Sequence, residues 1–342
     1  MKHSNLQISV AMATYNGARY IREQLDSILR QTIIPDEIII SDDGSTDDTL
    51  GIITDYISKY PSITLLHNTE YHGAEGNFMN AFKHCHGDII FPTDQDDIWV
   101  ANKIEKMLAA FTDDIEIVYA QDEIFDEKRV IGKTNWCIPA LHKAMWKNSL
   151  AGHACAFRKS ILSKYTPTRK LSWDYEICLY GSVAGSSKEI NETLVYWRRH
   201  SGTLTSSESI FYEELPTNKY ARLRYAIKQT RRGEYSVPFY DYMMERKRFV
   251  NLMGGGKLLT ISVLCYQKWW SFILAGIMYA FVEMLKNKPK SIRDVLGHAA
   301  WAFCYPAVFW CEMRKQKMDH IVVYAICSKA ARLENTSLLF RG

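Results

Sequence analysis

Three carboxylates lie within four residues at the end of an apolar run, and their spacing suits metal chemistry. Asp94, Asp96 and Asp97 closely follow residues 89–91, whose isoleucine and phenylalanine side chains predict a buried strand. Grouped carboxylates repel one another unless a positive charge lies among them. A divalent cation takes oxygen ligands and leaves positions open for phosphate, so the cluster predicts a metal that holds a diphosphate. The alternative interpretation is a solvated acidic turn.

Alternating strand and helix patterns surround this cluster. Short apolar runs predict four strands, over residues 8–13, 37–41, 63–67 and 87–92. Helical spacing of apolar side chains predicts a helix in each interval, over residues 20–30, 48–60 and 76–86. This order is typical of a parallel sheet with helices on both faces, in which ligands bind beyond the carboxyl ends of the strands. The polar turns 14–17, 41–47 and 93–97 all follow predicted strands, so we expect them to converge on one site.

The pattern is weaker after residue 100. Apolar spacing predicts helices over residues 103–111 and 173–184, and strands over residues 115–120 and 192–197. Residues 121–150 have no clear periodicity, which predicts a flexible arm.

Charge divides the 342-residue chain into two parts. Residues 215–342 carry 21 Lys and Arg against 8 Asp and Glu, a net charge of +13, which leaves −9 for residues 1–214. A basic C-terminal part suits anionic lipid head groups or nucleic acid. The eight cysteines form no Cys-x-x-Cys pair, and no charged-then-apolar leader precedes the first predicted strand. We therefore expect reduced thiols and a cytoplasmic location.

The motifs resemble those of the inverting glycosyltransferase family 2, and most closely its bacterial rhamnosyltransferase-like members. The matching segments are residues 10–17, 40–47, 94–97, 151–158, 173–175 and 198–200. The resemblance implies an α/β fold of the GT-A type, a Rossmann-like mixed sheet with flanking helices that binds nucleotide-diphospho-sugars. It places this catalytic domain in residues 1–215, and residues 216–342 are then a helical, basic and aromatic module.

The resemblance assigns donor binding to the polar turns. Tyr15 is expected to stack on the nucleobase, because an exposed ring suits that contact. Asp42 or Asp43 is expected to accept hydrogen bonds from the base or from ribose hydroxyls. The residues that the resemblance places around the nucleotide-sugar are Thr14, Tyr15, Asn16, Asp42, Asp43, Asn77 and Asp94.

The resemblance also implies a metal site. Asp96 is the expected ligand, with Asp94 contacting the donor ribose or sugar. His200 follows a strand-like segment, where related enzymes supply another metal or phosphate ligand. Arg198 and Arg199 are the alternative phosphate partners there, because a guanidinium pairs well with diphosphate. The expected cofactor is Mn²⁺ or Mg²⁺, which carboxylates suit equally.

Asp174 is the general base that the resemblance implies. An inverting transfer needs a carboxylate that accepts the proton of the acceptor hydroxyl while its oxygen attacks the anomeric carbon. The family usually has His or Glu before this Asp, whereas this chain has Trp173, so Glu176 remains an alternative base. The rings of Trp173 and Tyr175 are expected to line an acceptor-sugar site.

Two apolar segments stand out in the basic C-terminal part. Residues 269–285 are only marginally long enough to cross a membrane, and residues 299–311 are too short. Flanking lysines and abundant tryptophan and tyrosine predict helices that lie in a membrane interface, here on the cytoplasmic face of the cell membrane. The alternative is a packing domain or an oligomer interface.

These observations predict a metal-dependent inverting glycosyltransferase of cell-surface polysaccharide synthesis. It would move one sugar from a nucleotide-sugar donor to a lipid-linked or polysaccharide acceptor. Residues 195–200 lack the Gln-x-x-Arg-Trp motif of processive synthases, so a single addition is expected. A nucleotidyltransferase of similar fold is one alternative, although residues 14–19 match its phosphate loop weakly. A non-enzymatic nucleic-acid or scaffold binder is the other, but no nucleic-acid motif is visible, so no nucleic-acid partner is expected.

Overall fold

The computed structural model describes residues 6–126, 129–138, 144, 148–164, 171–200 and 292. The helices and strands below belong to one compact unit, which comprises residues 1–138 and 149–200. Among the described residues, no helix has both the length and the apolar character needed to cross a membrane. The predicted module 216–342, with its two apolar segments, lies outside the described residues apart from Ile292. The predicted domain boundary at residue 215 stays a prediction.

Strands and helices alternate along the first part of the chain, as the apolar spacing predicts. They are β1 (Ile8–Thr14), α1 (Ile21–Leu29), β2 (Glu37–Asp42), α2 (Thr49–Ile57), β3 (Ile63–His67), α3 (Ala74–His84) and β4 (Ile89–Asp94). β1 pairs in parallel with both β2 and β4, and β2 pairs in parallel with β3. The isoleucines of these strands are buried between the helices, which explains why their segments read as continuous apolar runs.

The second part of the chain adds strands of both directions to the same sheet. Its elements are β5 (Ile98–Trp99), α4 (Lys103–Ala109), β6 (Ile117–Phe125), β7 (Val130–Lys133), β8 (Cys155–Arg158), α5 (Trp173–Ala184) and β9 (Ser187–Arg198). The strand order is β3-β2-β1-β4-β8-β6-β9-β5, and β7 pairs with β6 outside this path. Because β8 is antiparallel to both β4 and β6, the sheet is mixed, as in a GT-A fold. The expectation of a parallel sheet holds for β1 to β4 and again for the pair of β6 and β9, whereas β5, β7 and β8 pair antiparallel with their neighbours.

The predicted flexible arm is wrong for residues 121–125 and 130–133, which form strands. Residues 121–125 continue β6, and residues 130–133 form β7 in an antiparallel hairpin with it. β6 is buried on both faces as far as Asp122, so its sequence lacks the alternation that marks a half-exposed strand. Its partners β8 and β9 lie far along the chain, and no local pattern reveals such pairing.

Burial shifts the pKa of several groups in the interior away from their ordinary values. Cys85, Cys155 and Cys178 are buried free thiols. Burial raises the pKa of Cys85 and of Cys178 to about 12, and raises the pKa of Cys155 further. Lys103 is fully buried, with its ammonium 3.8 Å from the centre of the Trp99 ring, and burial lowers the pKa of Lys103 to about 7. The uncharged thiols therefore act as apolar filling in the interior.

Candidate active site

The ends of β1, β2 and β4 lie side by side at the carboxyl edge of the sheet. Thr14 pairs with Asp42, Ala13 pairs with Asp94, and Asp42 pairs with His67. The polar turns that follow these strands therefore meet at one edge, as the sequence predicts. Ligands of α/β sheets bind at this edge, so its side chains form the candidate site.

A glutamine side chain joins the first turn to the third. The Gln95 amide accepts a hydrogen bond from the Tyr15 N–H at 3.0 Å and donates one to the Tyr15 carbonyl at 2.9 Å. Gly17 passes so close that a Cβ atom at this position would overlap the Gln95 amide. The Tyr15 side chain itself is 56% exposed, which leaves its ring free to meet a planar ligand.

Asn16 joins the first turn to the second. Its backbone is in the left-handed region, with φ of 49°, which asparagine tolerates better than most residues. Its N–H donates to the Ser45 hydroxyl at 2.8 Å, and its side-chain oxygen accepts from the Thr46 N–H at 2.8 Å. In the described structure these bonds give Asn16 a role in holding the site together.

Asp42 is fully buried and shapes the second turn from within. Its carboxylate accepts hydrogen bonds from the Thr14 hydroxyl at 2.9 Å, from the Gly44 N–H at 3.0 Å and from the Ser45 N–H at 2.8 Å. These hydrogen bonds fix the position of the carboxylate inside the turn. The sequence leaves open which acid of the pair reads the nucleotide, and burial favours Asp43.

Asp43 connects the second turn to the start of α3, and its side chain is 12% exposed. It accepts hydrogen bonds from the Asn68 amide at 2.7 Å and the Gly73 N–H at 2.7 Å, and it lies 2.9 Å from the His72 ring. The Asn77 amide donates to the Thr14 carbonyl at 3.0 Å, while its buried side-chain oxygen has no hydrogen-bond partner. That oxygen is an acceptor at the site's edge that a ligand donor can satisfy.

The predicted metal ligands Asp96 and His200 meet at this edge. Asp96 Oδ2 lies 2.9 Å from His200 Nε2, and both side chains are less than one-fifth exposed. The His200 ring packs on Tyr20 with 4.4 Å between ring centres. One carboxylate oxygen and one imidazole nitrogen at this separation are a suitable partial ligand set for Mn²⁺ or Mg²⁺.

Arg198 holds the acidic turn and is not placed as a free diphosphate ligand. Its Nε donates to the Asp96 carbonyl at 2.8 Å, and its backbone N–H donates to the Asp97 carboxylate at 3.1 Å. Its guanidinium also pairs with Glu23 and lies between the rings of Tyr20 and Phe125. The end of β9 therefore fixes the backbone that carries Asp96.

A second histidine lies on the buried side of the acidic turn. His153 Nδ1 is 3.7 Å from Asp94 Oδ2 and 3.8 Å from Asp97 Oδ2, and Nε2 is 2.8 Å from Asp122 Oδ2. Burial opposes the charge on His153, but Asp97, Asp122 and Asp94 outweigh it and raise the pKa of His153 well above its ordinary value. Burial raises the pKa of Asp97 well above its usual range, against the attraction of His153. These contacts describe an imidazolium that balances the charge of its neighbours.

Asp94, Asp97 and His153 nevertheless lie close enough together to hold a metal ion. An imidazolium has no free lone pair, so His153 would have to lose a proton first. The two ring nitrogens of His153 face carboxylates on both sides, which opposes that loss. The charge on His153 therefore opposes a metal at this cluster, and the Asp96 and His200 pair stays the predicted cation site.

Asp174 is the second residue of α5 and is fully buried. Its Oδ1 accepts a hydrogen bond from the Tyr175 N–H at 2.8 Å. Trp173 and Tyr175 are also buried, and the Trp173 ring packs against Phe78 and Phe82 at 5.0 Å. Neither ring is exposed in the described structure, so the expectation that they line a sugar site is not met there.

Sequence reasoning gave no role to Asp122, His153 or Glu75, which the structure places beside predicted site residues. Asp122 follows the apolar residues 117–120, the same signal that marks Asp42 and Asp94. The pattern does not identify Asp122 as a site residue, because the strand continues past it to Phe125. His153 lies in a single 3₁₀ turn, Gly152–Ala154, which has no periodicity to read.

Residues 9–166 match the sequence model of glycosyl transferase family 2. Over 127 residues the chain is 32% identical to the UDP-Glc:alpha-D-GlcNAc-diphosphoundecaprenol beta-1,3-glucosyltransferase WfgD of Escherichia coli, covering 37% of this chain and 49% of the relative. Over 102 residues it is 43% identical to the dTDP-rhamnosyl transferase RfbG of Shigella flexneri, covering 28% of this chain and 35% of the relative. The chain thus matches half or less of the length of these two relatives.

The fold is also similar to that of a solved structure, S. aureus TarS 1-349 in complex with UDP. The TM-score is 0.50 at 18% sequence identity, and the match covers 92% of each chain. At this identity the likeness concerns the fold alone. The family match is independent of it and includes all three turns of the site together with His153. Residues 9–166 are therefore similar to glycosyl transferase family 2.

Proposed function

We propose that this protein is a metal-dependent, inverting glycosyltransferase that adds a single sugar to a lipid-linked or polysaccharide acceptor. The observation that carries the proposal is the meeting of Asp96 and His200, 2.9 Å apart, at the edge where three polar turns converge. A carboxylate and an imidazole at the carboxyl ends of parallel strands suit a cation that binds the diphosphate of a nucleotide-sugar.

Asp96 and His200 would hold the metal, Mn²⁺ or Mg²⁺. When bound, such a cation stabilises the negative charge that develops on the leaving nucleoside diphosphate. Arg198 supports this assignment because it fixes the Asp96 carbonyl and leaves the Asp96 carboxylate directed at His200. Asp94, whose side chain is 45% exposed, is left to contact the ribose or the sugar of the donor.

The exposed Tyr15 ring stacks on the nucleobase, and Asp43 is the more accessible acid of its pair. The unpartnered Asn77 oxygen is placed to accept one further hydrogen bond from the donor. These contacts orient the anomeric carbon but do not identify the base or the sugar. The relatives act with UDP-Glc and as a dTDP-rhamnosyl transferase, so both donors are candidates here.

Asp174 is the proposed general base. It takes the proton of the acceptor hydroxyl as that oxygen forms a bond to the anomeric carbon, on the face opposite the breaking carbon–oxygen bond. The nucleoside diphosphate leaves with the bonding electrons. Asp174 lies in the first turn of α5, and the N-termini of helices attract negative charge.

A lipid-linked acceptor supports a peripheral location on the cytoplasmic face of the membrane. The WfgD relative acts on a diphosphoundecaprenol-linked acceptor by its name. The net charge of +13 in residues 215–342 would attract anionic head groups to the same surface.

The first test is turnover of UDP-, dTDP- and GDP-sugars with Mn²⁺ or with EDTA. We expect nucleoside diphosphate release from one donor class, lost with EDTA and reduced about 100-fold in Asp96→Asn, because one charged metal ligand is removed. Asp55→Asn is the matched control, since Asp55 is 63% exposed on α2 and pairs only weakly with Arg22 at 3.7 Å. Donor turnover that survives EDTA would contradict metal dependence, and binding of no donor by the folded protein would contradict the proposal.

A further inference from the structure

The N-cap residue of α5 supplies no capping hydrogen bond from its side chain. Ser172 is the N-cap residue, but its hydroxyl caps no backbone N–H and is buried without a hydrogen-bond partner. The first N–H groups of a helix have no partner within the helix and require an acceptor from elsewhere. Asp174 lies within this turn, so its position depends on whatever supplies that acceptor.

Glu75 supplies the acceptor from another helix. Its Oε2 accepts a hydrogen bond from the Trp173 N–H at 2.9 Å, across 98 residues of sequence. Glu75 lies in the first turn of α3, and Trp173 is the first residue of α5. A carboxyl group of α3 thus occupies the place that a capping side chain of α5 would take.

The Trp173 side chain is fixed as firmly as its backbone. Its ring packs on Phe78, Phe82 and Phe157. A Cβ atom on Gly152 would overlap the ring, so the glycine is required by the close approach. The residue directly before Asp174 is therefore held on both its backbone and its side chain.

The start of α3 is tied in turn to the donor side of the site. The Gly73 N–H donates to Asp43 Oδ2 at 2.7 Å, and Gly73 has φ of 99°, a conformation that suits glycine. Glu75 follows two residues later. One short segment, residues 73–75, therefore contacts both the acid proposed to read the nucleotide and the helix that carries the proposed base.

The carboxyl groups of Glu75, Asp174 and Glu176 lie near one another at the starts of α3 and α5, and this affects the charge of Glu75. Burial raises the pKa of Glu75 to about 9, and the nearby Asp174 and Glu176 of α5 add to the rise, against the Trp173 hydrogen bond. Glu75 is then protonated at neutral pH, and its carbonyl oxygen still accepts from Trp173. A glutamine has the same shape and the same acceptor without the ability to ionise.

We propose that Glu75 is the positioning residue for the general base: it caps α5 through Trp173 and so fixes the place of Asp174. The inference rests on the proposed role of Asp174.

The test compares Glu75→Ala, Glu75→Gln and wild type by hydrogen exchange of the peptide spanning residues 171–180. We expect faster exchange at the start of α5 in Glu75→Ala, at least tenfold, and near wild-type exchange in Glu75→Gln, because only the alanine lacks the acceptor. Glu70→Gln is the control, since Glu70 is 74% exposed and pairs with Lys83 on the surface. Should Glu75→Ala not fold, Glu75→Asp shortens the side chain by one methylene and replaces it.

The second measurement is turnover, followed as nucleoside diphosphate release. The donors are UDP-glucose and dTDP-rhamnose, Mn²⁺ is present, and the pH is varied from 6 to 9.5. We expect Glu75→Ala to lower kcat at least tenfold with the donor KM unchanged, and Glu75→Gln to stay within threefold at pH 7. Wild type should lose activity near pH 9 as Glu75 ionises beside Asp174 and Glu176, and Glu75→Gln should keep it.

Three outcomes separate this inference from the proposed function. Unchanged exchange in Glu75→Ala, or Glu75→Gln as impaired as Glu75→Ala, overturns the capping role whatever the activity. Full turnover in Asp174→Asn overturns the base assignment and with it the catalytic part of the inference. Turnover of neither donor by wild type overturns the proposed function for those donors, while the exchange experiment still decides whether Glu75 caps α5.

Discussion

At the scale of single residues, the site is built from groups that lie far apart in the sequence. Asp96 and His200 are separated by 104 positions, and His153 and Asp122 by 31. The two histidines face different acids and have different surroundings. His200 is partly exposed beside Asp96, whereas His153 is buried among three carboxylates that favour its charged form.

Because their surroundings differ, we expect that, of the two histidines, only His200 contributes to metal binding. His200→Ala should weaken Mn²⁺ binding tenfold or more, about 1.4 kcal/mol, because an imidazole ligand is lost. The measurement is the Mn²⁺ concentration that half-saturates donor turnover, or direct titration with Mn²⁺ alone. His84→Ala, on the exposed end of α3, is the control. An unchanged Mn²⁺ affinity in His200→Ala would exclude His200 as a ligand.

The raised pKa of Glu75 predicts that the free energy of unfolding depends on pH. An acid with a folded pKa near 9 and an ordinary value of 4.5 stabilises the fold fully below pH 4.5. That contribution is lost as pH rises towards 9, by up to about 1.4 kcal/mol per pH unit. Glu75→Gln removes this loss, so its unfolding midpoint should exceed that of wild type by a margin that grows from pH 5 to pH 9. A margin that does not change with pH would contradict a buried, protonated Glu75.

At the scale of elements, the turns after β1, β2 and β4 were predictable and the pairing of the later strands was not. Residues 38–40 and 89–91 are short apolar runs followed at once by carboxylates, and a local pattern identifies both the strand and its site residue. β6 gives no such signal at Asp122, because its burial continues to that residue. The pairing of β6 with β9 spans about 70 residues, so only the folded sheet brings Arg198 and His200 to the acidic turn.

The close approach of the first and third turns predicts the effect of Gly17→Ala. The added methyl group would displace the Gln95 amide and break both hydrogen bonds to Tyr15. We expect a loss of stability of about 1–3 kcal/mol and a higher donor KM, since Tyr15 would no longer be held. Unfolding by denaturant and donor saturation curves measure the two effects.

Gly132→Ala is the matched control for this prediction. A Cβ atom there makes only ordinary contact with Ile124, on the hairpin of β6 and β7. If Gly17→Ala behaves like Gly132→Ala in both measurements, the Gln95 contact does not hold the site.

At the scale of the whole molecule, the charge distribution predicts where the protein acts. Residues 1–214 carry −9 and residues 215–342 carry +13, so the basic part should bind an anionic surface. We expect the full chain to float with phosphatidylglycerol vesicles at low salt and to be released at about 1 M salt, where charges are screened within a few ångströms. Phosphatidylcholine vesicles are the control, and equal binding to both would contradict an electrostatic attachment.

The buried thiols of the described residues can report on transient unfolding of this protein. Cys85, Cys155 and Cys178 are inaccessible and, with pKa values raised by burial, present almost no thiolate to a reagent at neutral pH. An alkylating label should therefore reach them only during transient unfolding, and mass spectrometry can assign each labelled peptide. Cys155 lies on β8 and Cys178 on α5, so their relative labelling rates tell whether the helix that carries Asp174 detaches before the sheet separates.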